Sequence, residues 1–164
     1  MISYEQYIDY SPYFAQIDIE APSSRAEFLE LFNKTPQLIK NWVTSTETAE
    51  LLLNMGISFK LDEYDTEAIA YVIRQIVVGE IPLIEAPDTI AQEIKISPNT
   101  AREILGACLR DILTPVLEEV KKIQAARFPN ITPQTKNQNM ANLQKSFAPS
   151  ADVNPSNIVD LRTK

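Results

Sequence analysis

The sequence predicts an all-α fold: a single compact bundle of five to seven helices with a mostly disordered C-terminal tail. Three observations carry this. Apolar residues recur at helical spacing from Phe28 to Ile123, and no segment alternates with period two. The periodic stretches open on Ser, Thr, Asp and Pro, the residues that start helices. Charge changes sign at residue 125: residues 1–124 hold 20 acids and 10 bases, and residues 125–164 hold two acids and five bases.

The chain divides into residues 1–21, an aromatic-rich strap or short helix; 22–124, a helical domain; and 125–164, a flexible basic tail. In the first part Tyr4, Tyr7 and Ile8 share a helical face until Pro12 interrupts it. Tyrosine buries well while keeping its hydroxyl wet, which suits a domain rim. The same face, left exposed, is a protein-binding patch, so Tyr4 and Tyr7 are candidate contact residues.

Ser23 or Ser24 is expected to cap the next helix, since Glu27 stands three residues after Ser24 in capping-box spacing. Phe28, Leu31 and Phe32 form its stripe. Thr35-Pro36 opens another helix, proline taking the first helical position, with Leu38, Ile39, Trp42 and Val43 inward. Thr46 caps a helix carrying Ala49, Leu52 and Leu53. The acids of Leu61–Glu67 suit the positive end of a helix better than a calcium loop, for which glycine and the oxygen ladder are missing. That helix presents Ala68, Ile69, Val72, Ile73, Ile76 and Val77 and stops at Gly79. Ala86-Pro87-Asp88 starts one helix and Ser97-Pro98 another. The second carries Ala101, Ile104, Leu105, Cys108, Leu109 and Ile112, and Thr114-Pro115 kinks or restarts it.

Several chemistries are excluded. The chain has no histidine, which removes triads of the Ser-His-Asp kind and histidine metal sites. Its single cysteine, Cys108, forbids an intrachain disulfide and reads as a small buried hydrophobe. Three glycines are too few for phosphate loops. No metal, cofactor or catalytic residue is expected. Asp62 with Asp65 and Glu118 with Glu119 are the carboxylate pairs a small enzyme would need. They read instead as solvated faces, Glu118 being set to support Lys122. The opening residues lack a signal peptide and no apolar run spans a bilayer, so the expected location is cytoplasmic.

IVVGEIPLIEAPDTIAQEI followed by SPNTAREILGACLRDILTPVLEEV resembles the helix pattern of uncharacterised small all-helical bacterial proteins, over residues 61–123. That resemblance implies a compact module for contacts with macromolecules and brings no catalytic or ligand residues. IAQEIKISPNTAREIL also resembles a helix-turn-helix: small Ala91, a turn four residues on, then a capped second helix. Lys95 stands where that family usually has glycine. Asn99 and Arg102 are the residues chemically able to read base edges. Residues 88–112 carry four acids and three bases, a repelling background for phosphates.

The favoured function is therefore a non-catalytic protein–protein interaction module, an adaptor or accessory subunit. In the tail, Met140, Leu143 and Phe147 fall at i, i+3 and i+7, between Pro133 and Pro149. This is the spacing of a short motif, residues 135–148, that folds into a partner's groove. The partner is another protein or a larger assembly, with a homo-oligomer left open. Nucleic acid is the less favoured partner, and a membrane is not expected.

Overall fold

A computed structural model describes residues 1–17 and 20–131 of the chain. Among these there are eight α-helices and no strand. In order they are α1 (Tyr4–Tyr10), α2 (Pro22–Lys34), α3 (Gln37–Val43), α4 (Thr46–Phe59), α5 (Glu63–Val78), α6 (Ala86–Glu93), α7 (Pro98–Ala107) and α8 (Leu117–Arg127). The fold class is the expected all-α one. The helix count passes seven because the strap holds a true helix and Thr114-Pro115 restarts a helix instead of bending one.

Helix α5 is the axis of the core. Asp62 caps it by accepting from the Asp65 amide at 2.8 Å. Ala68, Ile69, Ala70, Val72, Ile73, Ile76 and Val77 are all buried along it. Helices α1, α2, α3, α4, α6 and α8 pack against it, and α7 packs on α6. Phe28, Ile39, Leu52, Ile90, Ile104, Leu105 and Val120 close the surrounding shell. Removing that apolar area from water is the main force holding the bundle together.

Three helix ends use a left-handed residue to turn the chain. Gly79 does so after α5, at φ 78°. A side chain there would be strained and would meet Arg127 and Ile123 at 2.8 and 2.9 Å. Lys60 (φ 56°) ends α4, and the Leu61 amide then reaches the Gly56 carbonyl at 2.9 Å. Lys95 (φ 54°) follows α6, and the Ile96 amide reaches the Ala91 carbonyl at 3.2 Å. These bonds satisfy carbonyls a helix end leaves orphaned.

Several helix starts differ from expectation by one to three residues. Helix α2 begins at Pro22, with Ala21 as an N-cap that has no side-chain bond, so Ser23 and Ser24 lie inside its first turn. Proline's fixed φ suits the first helical position and outweighs the serines. Pro36 is the N-cap of α3 and not its first residue, since its ψ of 150° is extended, and the Thr35 hydroxyl donates to the Phe32 carbonyl at 2.7 Å. Ser45, not Thr46, caps α4, accepting from Glu47. Leu38 is turned outward on two-turn α3, half exposed.

Between α7 and α8 the chain widens into a π-turn, Cys108–Ile112, and tightens into a 3-10 turn, Thr114–Val116. Pro115 has no amide to give and its ring crowds the carbonyl four residues back. The freed carbonyls find other donors. The Leu113 amide reaches Cys108 at 2.8 Å, the Thr114 hydroxyl reaches Arg110 at 2.6 Å, and the Trp42 indole reaches Ile112 at 3.3 Å.

Candidate functional site

The most unusual chemistry in the fold is a charge inside the core. Arg74 sits on α5, one turn from buried Ala70 and Val78, and is itself 1% exposed. Its Nη2 pairs with Glu20 Oε1, and Nη1 donates to the Ala15 carbonyl at 3.2 Å. The guanidinium lies over the rings of Phe28 (4.2 Å) and Tyr71 (4.6 Å), a placement the ring quadrupoles favour. Burial pushes Arg74 down to about 10, with Glu80 working against it, so the group stays charged near neutral pH. Arg25 also lies over the Phe28 ring, at 4.7 Å, and donates to the Tyr13 carbonyl at 3.0 Å.

The pair is not saturated. Glu20 Oε2, Arg74 Nε and Gln75 Oε1 are buried with no protein hydrogen-bond partner. All three residues line a cavity of about 270 Å³, together with Glu27, Glu80 and Arg127 among the charged groups and Tyr71 among the aromatics. Glu80 follows the Gly79 turn. Burial raises its carboxyl above the usual range, Arg74 lowers it and Glu27 raises it again. Arg127, from the last turn of α8, donates Nε to the Gly79 carbonyl at 3.2 Å and forms one wall. A buried polar atom left unpaired costs about 1–3 kcal/mol, so these atoms are the ones a molecule in the cavity would engage.

This site was missed from sequence, although half of its signal was present. Arg74 falls in phase with Ala70 and Val78 in an otherwise apolar run, where a cation stands out. Its partner Glu20 lies 54 residues away with no spacing to connect them.

The residues singled out from sequence are placed elsewhere. Tyr4 is 78% exposed on α1. Tyr7, on the same helix, donates its hydroxyl to the Thr44 carbonyl at 2.9 Å and packs T-shaped with Phe14, ring centroids 5.8 Å apart, which ties α1 to the body. Asn99 and Arg102 come together on the exposed first turn of α7, where Arg102 Nη1 donates to Asn99 Oδ1 at 2.9 Å. Met140, Leu143 and Phe147 lie outside the described residues, as does the 135–148 motif.

The carboxylate pairs do ordinary work. Asp62 is committed to its cap, and Asp65's carboxyl is raised by burial and then by Asp62. Glu118 pairs with Lys121 and Glu119 with Lys122, each at 2.6 Å. Glu118 therefore takes a partner three residues on, not the Lys122 expected four on. Cys108 is fully buried, and burial pushes its thiol up to about 12. Among the described residues no three cysteine or carboxylate side chains converge to hold a metal, and no helix is long and apolar enough to cross a membrane. No family model, curated protein or solved structure matches the chain.

Proposed function

We propose that the chain is a non-catalytic adaptor or accessory subunit of the cytoplasm that binds another protein or a larger assembly. One observation carries the reading. Tyr4, Ile57 and Tyr64 are 78%, 65% and 57% exposed, and they stand on α1, α4 and α5, three helices packed on one another. Large apolar groups held open on a rigid frame are what a partner's surface buries, and tyrosine is enriched where interfaces draw their energy. The basic tail motif adds a second means of attachment.

The test compares the full chain with two variants: Tyr4→Ser/Ile57→Ser/Tyr64→Ser, and a chain ending at residue 131. Affinity capture followed by mass spectrometry is expected to lose specific partners in one or both variants while their helical circular dichroism is unchanged. The same partner set from all three proteins sinks the reading.

A second reading, nucleic-acid binding through α6 and α7, draws on Lys95 taking the left-handed turn where helix-turn-helix proteins have glycine. Asn99→Ala/Arg102→Ala would then weaken a salt-dependent shift of labelled duplex. No shift of the full chain at low salt ends it.

A further inference from the structure

The cavity beside Arg74 has its own chemical preference, separate from partner binding. Its lining carries three carboxylates (Glu20, Glu27, Glu80) against two guanidiniums (Arg74, Arg127). Arg74 is held by Glu20 and the Ala15 carbonyl, and Arg127 gives its Nε to the Gly79 carbonyl. The buried atoms without a protein partner are two acceptors and one donor: Glu20 Oε2, Gln75 Oε1 and Arg74 Nε. Glu20 and Arg74 are 3% and 1% exposed at their side chains, so bulk water does not solvate these atoms freely. An anion would meet three like charges against two guanidiniums, one of which already faces Glu20. A cation with several N–H groups would meet the free acceptors and the Glu80 carboxylate. Leu31 and Ile81 add apolar wall to the same cavity.

We propose that this cavity binds a small primary alkylammonium ion. Its ammonium is directed to Glu20 Oε2, Gln75 Oε1 and the Glu80 carboxylate, and its aliphatic stem lies along Leu31 and Ile81. An ammonium has three donors and no acceptor, which matches three acceptors. At about 270 Å³ the cavity lies below the usual range for drug-sized ligands, so the stem is short. The competing occupant is water, for which the volume has room for roughly nine molecules at ~30 Å³ each.

The test uses the full chain and three probes of one shape: n-butylammonium chloride, n-butanol and sodium butyrate, at matched ionic strength and near-neutral pH. Assigned side-chain NMR signals of Arg74 Nε–H and the Gln75 amide are followed through each titration. Butylammonium is expected to give a saturable shift of both, with butanol and butyrate giving none. Glu80→Gln, which keeps the side-chain shape, is expected to weaken the butylammonium response about tenfold, the worth of a hydrogen bond to a charged group. Butyrate or butanol binding as well as the amine overturns the proposal. So does a linear, non-saturating response to all three, which is the water-filled outcome. An unchanged affinity in a folded Glu80→Gln variant overturns the placement of the ammonium. Should that variant not fold, the order of the three probes on the wild-type chain decides alone. Partner capture does not enter any arm, so failure here leaves the adaptor reading standing, and the reverse.

Discussion

Arg74 and Glu20 take two charges out of water within a shell of apolar side chains, and the cost of separating them is correspondingly high. Removing one partner strands the other. Arg74→Ala is expected to destabilise the fold by about 3–5 kcal/mol, read from urea unfolding. The double change Arg74→Met/Glu20→Leu should recover most of that loss, because a buried pair and an apolar pair of similar volume are often close in energy. A cost below about 1 kcal/mol would mean that the pair is open to solvent in the folded state. Glu80 gives a pH signature. Its carboxyl is raised by burial, so the folded state holds its proton more tightly than the unfolded chain does. That contribution is present at pH below the ordinary carboxylate range and is lost as pH rises through the raised value. Glu80→Gln should therefore be more stable than wild type at neutral pH, the difference shrinking in acid. A difference that grows on acidification refutes the assignment. Arg74 was half visible in sequence, since a lone cation in a buried phase is readable. Glu20, Gln75 and Glu80 were not, because what unites them is packing among α2, α5 and the turn after Gly79.

At the scale of elements, the helix ends carry the clearest mutational expectations. Lys60 and Lys95 occupy left-handed backbone that favours glycine, at a cost of roughly 1 kcal/mol each. Lys95→Gly removes that strain and should raise the melting temperature by about 2–4 °C in calorimetry. Gly79→Ala reverses the logic, since it adds both strain and a clash with Arg127 and Ile123, and a loss of about 1–3 kcal/mol is expected. A melting temperature that falls in the first variant, or stays put in the second, contradicts the cap geometry. The ends also separate what sequence reveals from what it conceals. Ser97-Pro98 and Gly79 were legible because each signal is complete within a few residues. The start of α2 was not, because Pro22 and the following serines compete and only the packed helix decides. The π-turn at Cys108–Ile112 was hidden too, since Pro115 announces a break but not how the freed carbonyls are satisfied.

Across the whole molecule, the described residues close their own core. Helix α8 covers α5 through Val120 and reaches the Gly79 turn with Arg127, beyond the boundary at 125 suggested by charge. A chain ending at residue 131 should therefore melt within about 3 °C of the full chain, a shift worth only ~1 kcal/mol. A larger loss would mean that the last residues complete the fold. The all-helical class was legible because hydrophobic period is a property of the chain itself. The exposed Ile57 was not, since it follows Leu53 by four residues, in phase with an apolar position, and only packing shows which side of α4 is covered.

Trp42 is the sole tryptophan of the chain, 8% exposed, with its indole N–H on the Ile112 carbonyl. The protein thus carries one tryptophan fluorophore, excitable at longer wavelength than its six tyrosines, where α3 meets the π-turn. Its emission should be blue-shifted in the native state. It should move red when the π-turn lifts from α3, even while circular dichroism still reports helix. A gap between those two signals during unfolding would date the release of the C-terminal helices without a label being added.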